Sequence, residues 1–545
     1  MAAIGEAPTL FLRKATGLVK GWSKFDAFLY SFMSVNFVTL GLFFALSVLA
    51  FVPSGQVLPA LLISGVFVTF LVITYAGLIS VMPRAGGDYV WQSRVLGGGI
   101  AFVLAVTGWW FILWYWAPVY ANILNVEVFQ PLAAVFKLNG LSDFLATKNG
   151  LFTVAVITVL LAGFLVSLGM EGYAKVQKFC FYVGMAVLGV VLLIMLFGSQ
   201  SGFHSAFNQE AANLFGTKGD VYSQTIKVAQ TNNGGPIVPN LGFSPFFGNT
   251  LLLVPFLCFW ILWPNWGATL YGEVRGASDF KRVMSGMMWG LWVTVAVAAV
   301  FILLASKFFG WQFFNGANLN YWAPIYGFGK STIPIWPYPP LLASFYFHNT
   351  LISALIVLAF ATWFLGWAGT LFLSSTRVIF AAAFDRILPE KVAEVSEKRH
   401  VPVWALVLML VPSIGVSALY AYTSNFGTYI LDATLVIAVT FLGTSIAAIV
   451  LPWRKKSLYE NSPIAKYKVA GIPLITFSGV LTAAFLLFNL WKWFKDDLYG
   501  VNNKDSLIFM GSMYVLALVV YVVAKIYRKS QGIDLNSIYR EIPVE

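Results

Sequence analysis

Charge is scarce in this chain of 545 residues: Asp, Glu, Lys and Arg make up 10% of it, where soluble domains carry about 25%. That scarcity excludes an ordinary water-soluble protein. Histidine and cysteine are rarer still, with three and two copies. His204, His348 and His400 stand far apart, so no metal-ligand spacing exists. Cys180 and Cys258 both fall inside apolar runs, and no disulfide framework is implied. Catalytic groupings are missing too: no facing pair of acids and no nucleophile beside a base lies within those runs. Gly97-Gly98-Gly99 is no phosphate loop, because no Lys-Ser or Lys-Thr completes it. Neither an enzyme nor a bound metal or organic cofactor is expected.

What fills the chain is apolar: 59% hydrophobic and 17% aromatic. Runs of about 20 apolar residues, each long enough to cross roughly 30 Å of hydrocarbon, recur from end to end. They predict an all-α polytopic membrane protein with twelve spans, at 27–51, 57–82, 99–125, 151–169, 179–198, 249–271, 284–309, 346–373, 403–422, 428–451, 472–494 and 505–527. Basic residues orient it. With both termini cytoplasmic, the inside segments hold 25 Lys and Arg and the outside segments nine, all nine lysines. Short basic loops stay on the cytoplasmic side, so this asymmetry supports the span count and a multi-pass protein of the cell membrane. The net charge of +12 is then a topology signal and does not point to nucleic acid. Residues 1–26 carry no signal-peptide cleavage pattern and read as a cytoplasmic segment, as do 528–545. Two outside stretches, near 199–248 and 310–345, are long and show no obvious secondary structure.

One span looks built to break. Residues 249–275, NTLLLVPFLCFWILWPNWGATLYGEVR, carry Pro264 among Trp260, Trp263 and Trp266. An interior proline removes a backbone donor and clashes with the preceding turn. In a bilayer the freed backbone groups need a cavity or a partner. Interrupted spans point to transporter binding sites; the plainer reading is a lipid-facing kink. If spans 1–5 and 6–10 are repeats, five is odd, and the second copy runs opposite to the first. The second would open with the Pro264 span. The first would open with 27–51, where SFMSVNFVTLG (31–41) sets Ser34, Asn36 and Thr39 ahead of Gly41. Helix packing is the other use of such small and polar residues.

Five segments then look familiar. They are LRKATGLVKGWSKFD (12–26), PRAGGDYVWQSRVLG (83–97), EGYAKVQK (171–178), Glu273-Val274-Arg275 and STRVIFAAAFDRILPEKVAEVSEKRHVP (375–402). In this order they resemble motifs of the amino acid–polyamine–organocation transporter superfamily. The resemblance implies a LeuT-like five-plus-five inverted repeat with two added C-terminal helices. Residues 27–198 would be the first repeat, 199–248 an extracellular loop, 249–451 the second repeat and 452–527 the added pair. It implies secondary active transport of an amino acid. Transport of polyamines or other organic cations, or amino acid exchange without ion coupling, is the alternative. The chain would meet membrane lipid and act as a monomer or homodimer. It also departs from the family. The glycine-rich break of span 1 is replaced by the stretch from Ser34 to Gly41, and span 6 breaks at Trp263-Pro264 instead of at a glycine. The lysine that some relatives carry in span 5 is Gly184 here, so coupling through it is not expected.

The resemblance also implies a substrate site. Backbone amides over Phe37, Val38, Thr39 and on to Gly41 would face a carboxylate at the positive end of a half-helix, with Ser34 and Asn36 beside them. Carbonyls of Phe259, Trp260, Ile261 and Leu262 would face the ammonium. Trp260, Trp263, Trp114 and Trp367 would line the side-chain pocket, although each tryptophan singly also suits a membrane interface. For a coupling proton the candidate is Asp432 near the start of span 10, whose plainer role is a helix-start acid. For Na+, Thr370 and Ser374 on span 8 offer oxygens; hydroxyls in helices also bond their own backbone.

Overall fold

The computed structural model describes residues 17–52, 54–423, 426 and 429–540. Arg13 and Lys14, the start of the first motif, the expected beginning of span 10 at 428, and the tail from 541 therefore lie outside the described residues.

Among the described residues, twelve helices are long and apolar enough to cross a membrane. Spans 1 to 6 are Lys24–Phe51, Val57–Val81, Gly98–Val135, Lys148–Ser167, Gly169–Phe197 and Thr250–Glu273. Spans 7 to 12 are Phe280–Ile325, Thr350–Phe384, Val403–Tyr422, Ile430–Arg454, Leu474–Lys495 and Lys504–Ser530. Spans 3, 7 and 8 outrun the apolar windows that predict them, because hydropathy marks contact with lipid and does not mark where a helix ends. Strand is confined, among the described residues, to a hairpin of Lys468–Val469 with Ile472–Pro473 between spans 10 and 11.

Burial sorts the spans into layers. The most apolar stretch of span 1 is 94% buried and that of span 6 is 89%, against 28% for span 12 and 33% for spans 5 and 9. Spans 1 and 6 therefore form the centre, and spans 5, 9 and 12 present much of their surface to lipid. Around the centre, span 2 packs on spans 7 and 11, span 5 on span 8, span 4 on span 9 and span 10 on span 11.

Both central spans are interrupted. In span 1 the helix Lys24–Val35 stops at Asn36, which takes the left-handed conformation with φ 45°. Asparagine tolerates that region better than most non-glycine residues, so it can end the helix in a conformation that otherwise favours glycine. The chain resumes as a wider π-helical segment, Phe37–Phe44, and a 3-10 segment, Ala45–Phe51. In span 6 the helix Thr250–Ile261 ends, and a 3-10 segment begins at Trp266 and runs to Glu273. Pro264 lies in the gap. Span 1 begins, and span 6 ends, at the same end of the bundle: Trp22 exchanges backbone bonds with Glu273 and Arg275 at 3.3 and 3.1 Å. The two spans thus run in opposite directions.

That end also gathers the five sequence motifs. Gly86 N–H donates to the Thr269 carbonyl at 2.8 Å. A Cβ on Gly87 would lie 3.0 Å from the Thr269 backbone, so the paired glycines let the loop after span 2 lie against span 6. Lys178 pairs with Asp26 at 2.6 Å. The Trp22 indole donates to the Met170 carbonyl at 2.7 Å.

The two long stretches at the opposite end correct the sequence-based expectation, because they are largely helical. Gln200–Phe215, Val221–Asn233 and Pro339–Ser344 are separate helices, and Trp311–Ile325 continues span 7. Their apolar residues are spaced to pack on one another and not to face lipid: Tyr222 stacks on Phe313 with centroids 4.4 Å apart. The Trp322 indole donates to Ser47 at 3.0 Å, fastening this cap to span 1.

Candidate functional site

Between the two breaks lies a cavity of about 10 Å3, room for about one water molecule. Ser34 and Leu40 border it from span 1, and Trp263 and Trp266 from the break in span 6. Leu113, Trp116 and Tyr120 of span 3 and Trp367 and Leu371 of span 8 close it. Tyr120 and Trp367 stack with centroids 3.5 Å apart. An amino acid fits here only after those rings move.

Of the residues expected around a substrate, Ser34, Trp263 and Trp367 border this cavity, while Trp114 does not. Its indole donates to the Leu408 carbonyl of span 9 at 3.0 Å, and Trp116 occupies the cavity instead. Two residues are about 200° around a helix, so the neighbouring tryptophan faces the other way. Leu113, Trp116 and Tyr120 follow helical spacing of three and four, the signal that separates them from Trp114.

The expected backbone groups are partly engaged. Asn36 Oδ1 accepts from the Thr39 amide at 3.2 Å, and the Asn36 carbonyl accepts from Gly41 at 3.0 Å. This leaves the amides of Phe37, Val38 and Leu40 at the start of the half-helix. Asn36 Oδ1 also accepts from the Trp363 indole at 2.7 Å, so this side chain holds the break together and is not free for a substrate. The Phe259 carbonyl accepts from the Trp263 indole at 2.8 Å, which leaves those of Trp260, Ile261 and Leu262 at the end of their helix. Trp260 lies across Gly41, where a Cβ would strike its ring. Gly184 packs the same way against Trp363. A lysine has no room there.

The coupling candidates are dispersed. Ser374 Oγ donates to the Trp266 carbonyl at 2.9 Å and bonds the Tyr30 hydroxyl at 2.8 Å. The Thr370 hydroxyl lies 3.4 Å from that of Tyr120, and its carbonyl accepts from the Trp266 indole at 3.0 Å. Both residues thus tie span 8 to the break in span 6. Asp432 stands in the first turn of span 10, beside Ser506 of span 12.

A second cavity, of about 470 Å3, opens at the end away from the motifs. Phe44, Val48, Phe259, Trp322 and Tyr326 are among its walls. Trp116 and Phe259 stack at 5.5 Å and 16°, one bordering the small cavity and the other the large one. This pair joins the wall of one cavity to the wall of the other.

The motif end is closed by buried charge. Arg377 grips Glu273 with Nε and Nη2 at 2.7 and 3.0 Å, both side chains almost wholly buried. Arg94 grips Asp385 at 2.5 and 2.7 Å, and the Tyr89 hydroxyl adds a third bond at 2.8 Å. Such two-pronged pairs are the strongest ionic contacts a protein makes.

Two further carboxyls escaped the sequence reading. Glu127 of span 3 is buried, and both its oxygens lack a partner among the described residues. Asp88, in the helix Gly87–Val95 between spans 2 and 3, accepts from Thr444 at 2.6 Å and from the Tyr75 hydroxyl. Burial pushes its carboxyl up to about 6, against the Thr444 and Tyr75 bonds that favour the ionised form.

Twelve spans around two oppositely directed, interrupted helices, with a cavity at both interruptions, make the architecture of a membrane transporter. The family model for amino acid permeases matches residues 23–524, and the chain belongs to that family, within the amino acid–polyamine–organocation superfamily. A comparison with curated proteins finds no match.

Proposed function

We propose that this permease is a secondary active transporter that carries amino acids across the cell membrane by alternating access, holding them at the breaks of spans 1 and 6. One observation carries the reading: a small cavity bordered by both breaks, its wall meeting that of a large cavity on one side and sealed by buried ion pairs on the other. The sealed end is cytoplasmic, because the segments on that side hold 25 of the 34 Lys and Arg. The amides of Phe37, Val38 and Leu40 receive the carboxylate, and the carbonyls of Trp260, Ile261 and Leu262 receive the ammonium. The cavity walls are uncharged and mostly aromatic, which favours a neutral side chain over a polyamine. Binding rotates Tyr120 and Trp367 apart to make room.

Uptake into proteoliposomes from a mixture of labelled L-amino acids tests this. Saturable accumulation of neutral amino acids is expected, driven by an imposed ion gradient. Uptake only into preloaded vesicles would identify an exchanger, and no saturable uptake at all would defeat the reading.

A further inference from the structure

Asp88 lies in the PRAGGDY segment, and neither the ion pairs nor the substrate cavity uses it. It is fully buried, and its Oδ2 has no partner among the described residues. Other unpartnered buried atoms surround it: both amide atoms of Asn265, the Trp109 indole nitrogen and Gln92 Oε1. Asn265 lies beside the same Tyr75 hydroxyl that bonds Asp88, and the Trp109 indole N–H lies beside Asp88 itself, where like Thr444 and Tyr75 it favours the ionised form against the larger effect of burial. Gln92 Nε2 donates to Thr444, the other donor to the carboxyl, at 2.8 Å.

An ionised carboxylate so buried needs a cation or a full set of donors. The charged groups nearest to it are engaged elsewhere, while Glu127 of span 3 and Asp432 of span 10 stand toward the other end of their spans, in the last third and the first turn respectively. Glu273 holds Arg377, Asp385 holds Arg94, and Arg454 donates to the Val95 carbonyl at 3.0 Å. The remaining titratable neighbours on these elements are the phenols Tyr75, Tyr89 and Tyr271. A proton on Oδ2 removes the charge and turns the carboxyl into a donor, in a neighbourhood where Asn265 Oδ1 and Gln92 Oε1 are acceptors without one among the described residues.

We infer that Asp88 is a proton-binding site that couples transport to the proton gradient, loaded while the motif end is sealed and emptied to the cytoplasmic side when that end opens. This rests on the transporter reading above. Coupling follows from what Asp88 touches. Asn265 closes the break in span 6, between Trp263 and Trp266 of the cavity wall, and Trp109 meets Trp266 with centroids 4.5 Å apart. Arg94 sits on the same short helix as Asp88, so parting Arg94 from Asp385 also brings water to the carboxyl. The proton enters from the outer water with the substrate and leaves to the inner water. No other bond is made or broken. Because burial raises the carboxyl to about 6, the sealed state is favoured below that pH and loses this support as pH rises through it.

The test measures labelled L-amino acid uptake into proteoliposomes across a range of pH. In the wild type, an inside-alkaline gradient of one unit raises accumulation by up to about tenfold, one proton per substrate. In Asp88→Asn, whatever exchange persists no longer responds to the gradient. Thr444→Val keeps the carboxyl but removes a donor that favours its ionised form, so the pH midpoint moves up by about one unit; this variant decides the matter if Asp88→Asn does not fold. A gradient response intact in Asp88→Asn, or a midpoint unmoved in Thr444→Val, overturns the proposal. Saturable exchange that ignores the gradient in the wild type overturns it too but leaves the transporter reading standing. No saturable transport in the wild type brings both down.

Discussion

The two ends of this bundle are closed by different chemistry. At the motif end two Arg–carboxylate pairs lie buried among packed helices. At the other end aromatic rings and surface helices leave a cavity of about 470 Å3, whose wall meets that of the central cavity through the stacked Trp116 and Phe259. A dry ion pair is strong, and the same pair in water is worth about 1 kcal/mol or less, so it behaves as a two-position latch. Ring stacking has no such threshold, each aromatic pair adding about 0.5–1.5 kcal/mol wherever it finds an offset. In the transport cycle proposed above, the ionic end would open all at once and the aromatic end would give way ring by ring.

The most damaging single change falls on the ionic end. Arg377→Ala leaves Glu273 buried without its cation, at a cost of about 3–5 kcal/mol. Thermal unfolding in detergent is expected to fall by many degrees, and Glu273→Gln combined with Arg377→Met is expected to recover much of it. A single variant as stable as the parent would show that the pair is no latch. At the aromatic end, Trp116→Ala joins the two cavities. It should raise the apparent KM for uptake about tenfold, a loss of roughly 1.4 kcal/mol of binding, while Trp116→Phe stays near the parent. Equal KM values for both variants would remove the stacked pair from the mechanism. The smallest effect belongs to the surface of that end, where His204 meets Asp220 at 2.7 Å in partial exposure. His204→Ala should shift stability by less than about 1 kcal/mol, and a larger loss of unfolding temperature would mean that the cap is held by charge after all.

Much of this comparison is legible in residues read one stretch at a time. Pro264 and the polar stretch from Ser34 to Gly41 mark the interruptions in the sequence, and the structure places the first of them at Asn36, whose tolerance of the left-handed region belongs to the residue itself. The five motifs stand out in order, yet nothing in their spacing says that they meet. Their meeting depends on contacts such as Arg94 with Asp385, 291 positions apart. Trp114 and Trp116 illustrate the other limit. Composition makes both attractive as pocket walls, and only the rotation of span 3 against its neighbours sends one to span 9 and the other to the cavity. The cap helices were hidden because apolar residues that pack on each other in a surface layer give no run long enough to read as a span.

By itself the sequence determined the class of the protein, its twelve spans and the places where two of them break, since each follows from the local cost of placing backbone and charge in hydrocarbon. Only the tertiary structure decided which face of span 3 meets the cavity, how the charges pair, and that Asp88 is buried with no cation beside it among the described residues. Those outcomes depend on which atoms from distant parts of the chain exclude water together, and no single stretch of sequence carries that information.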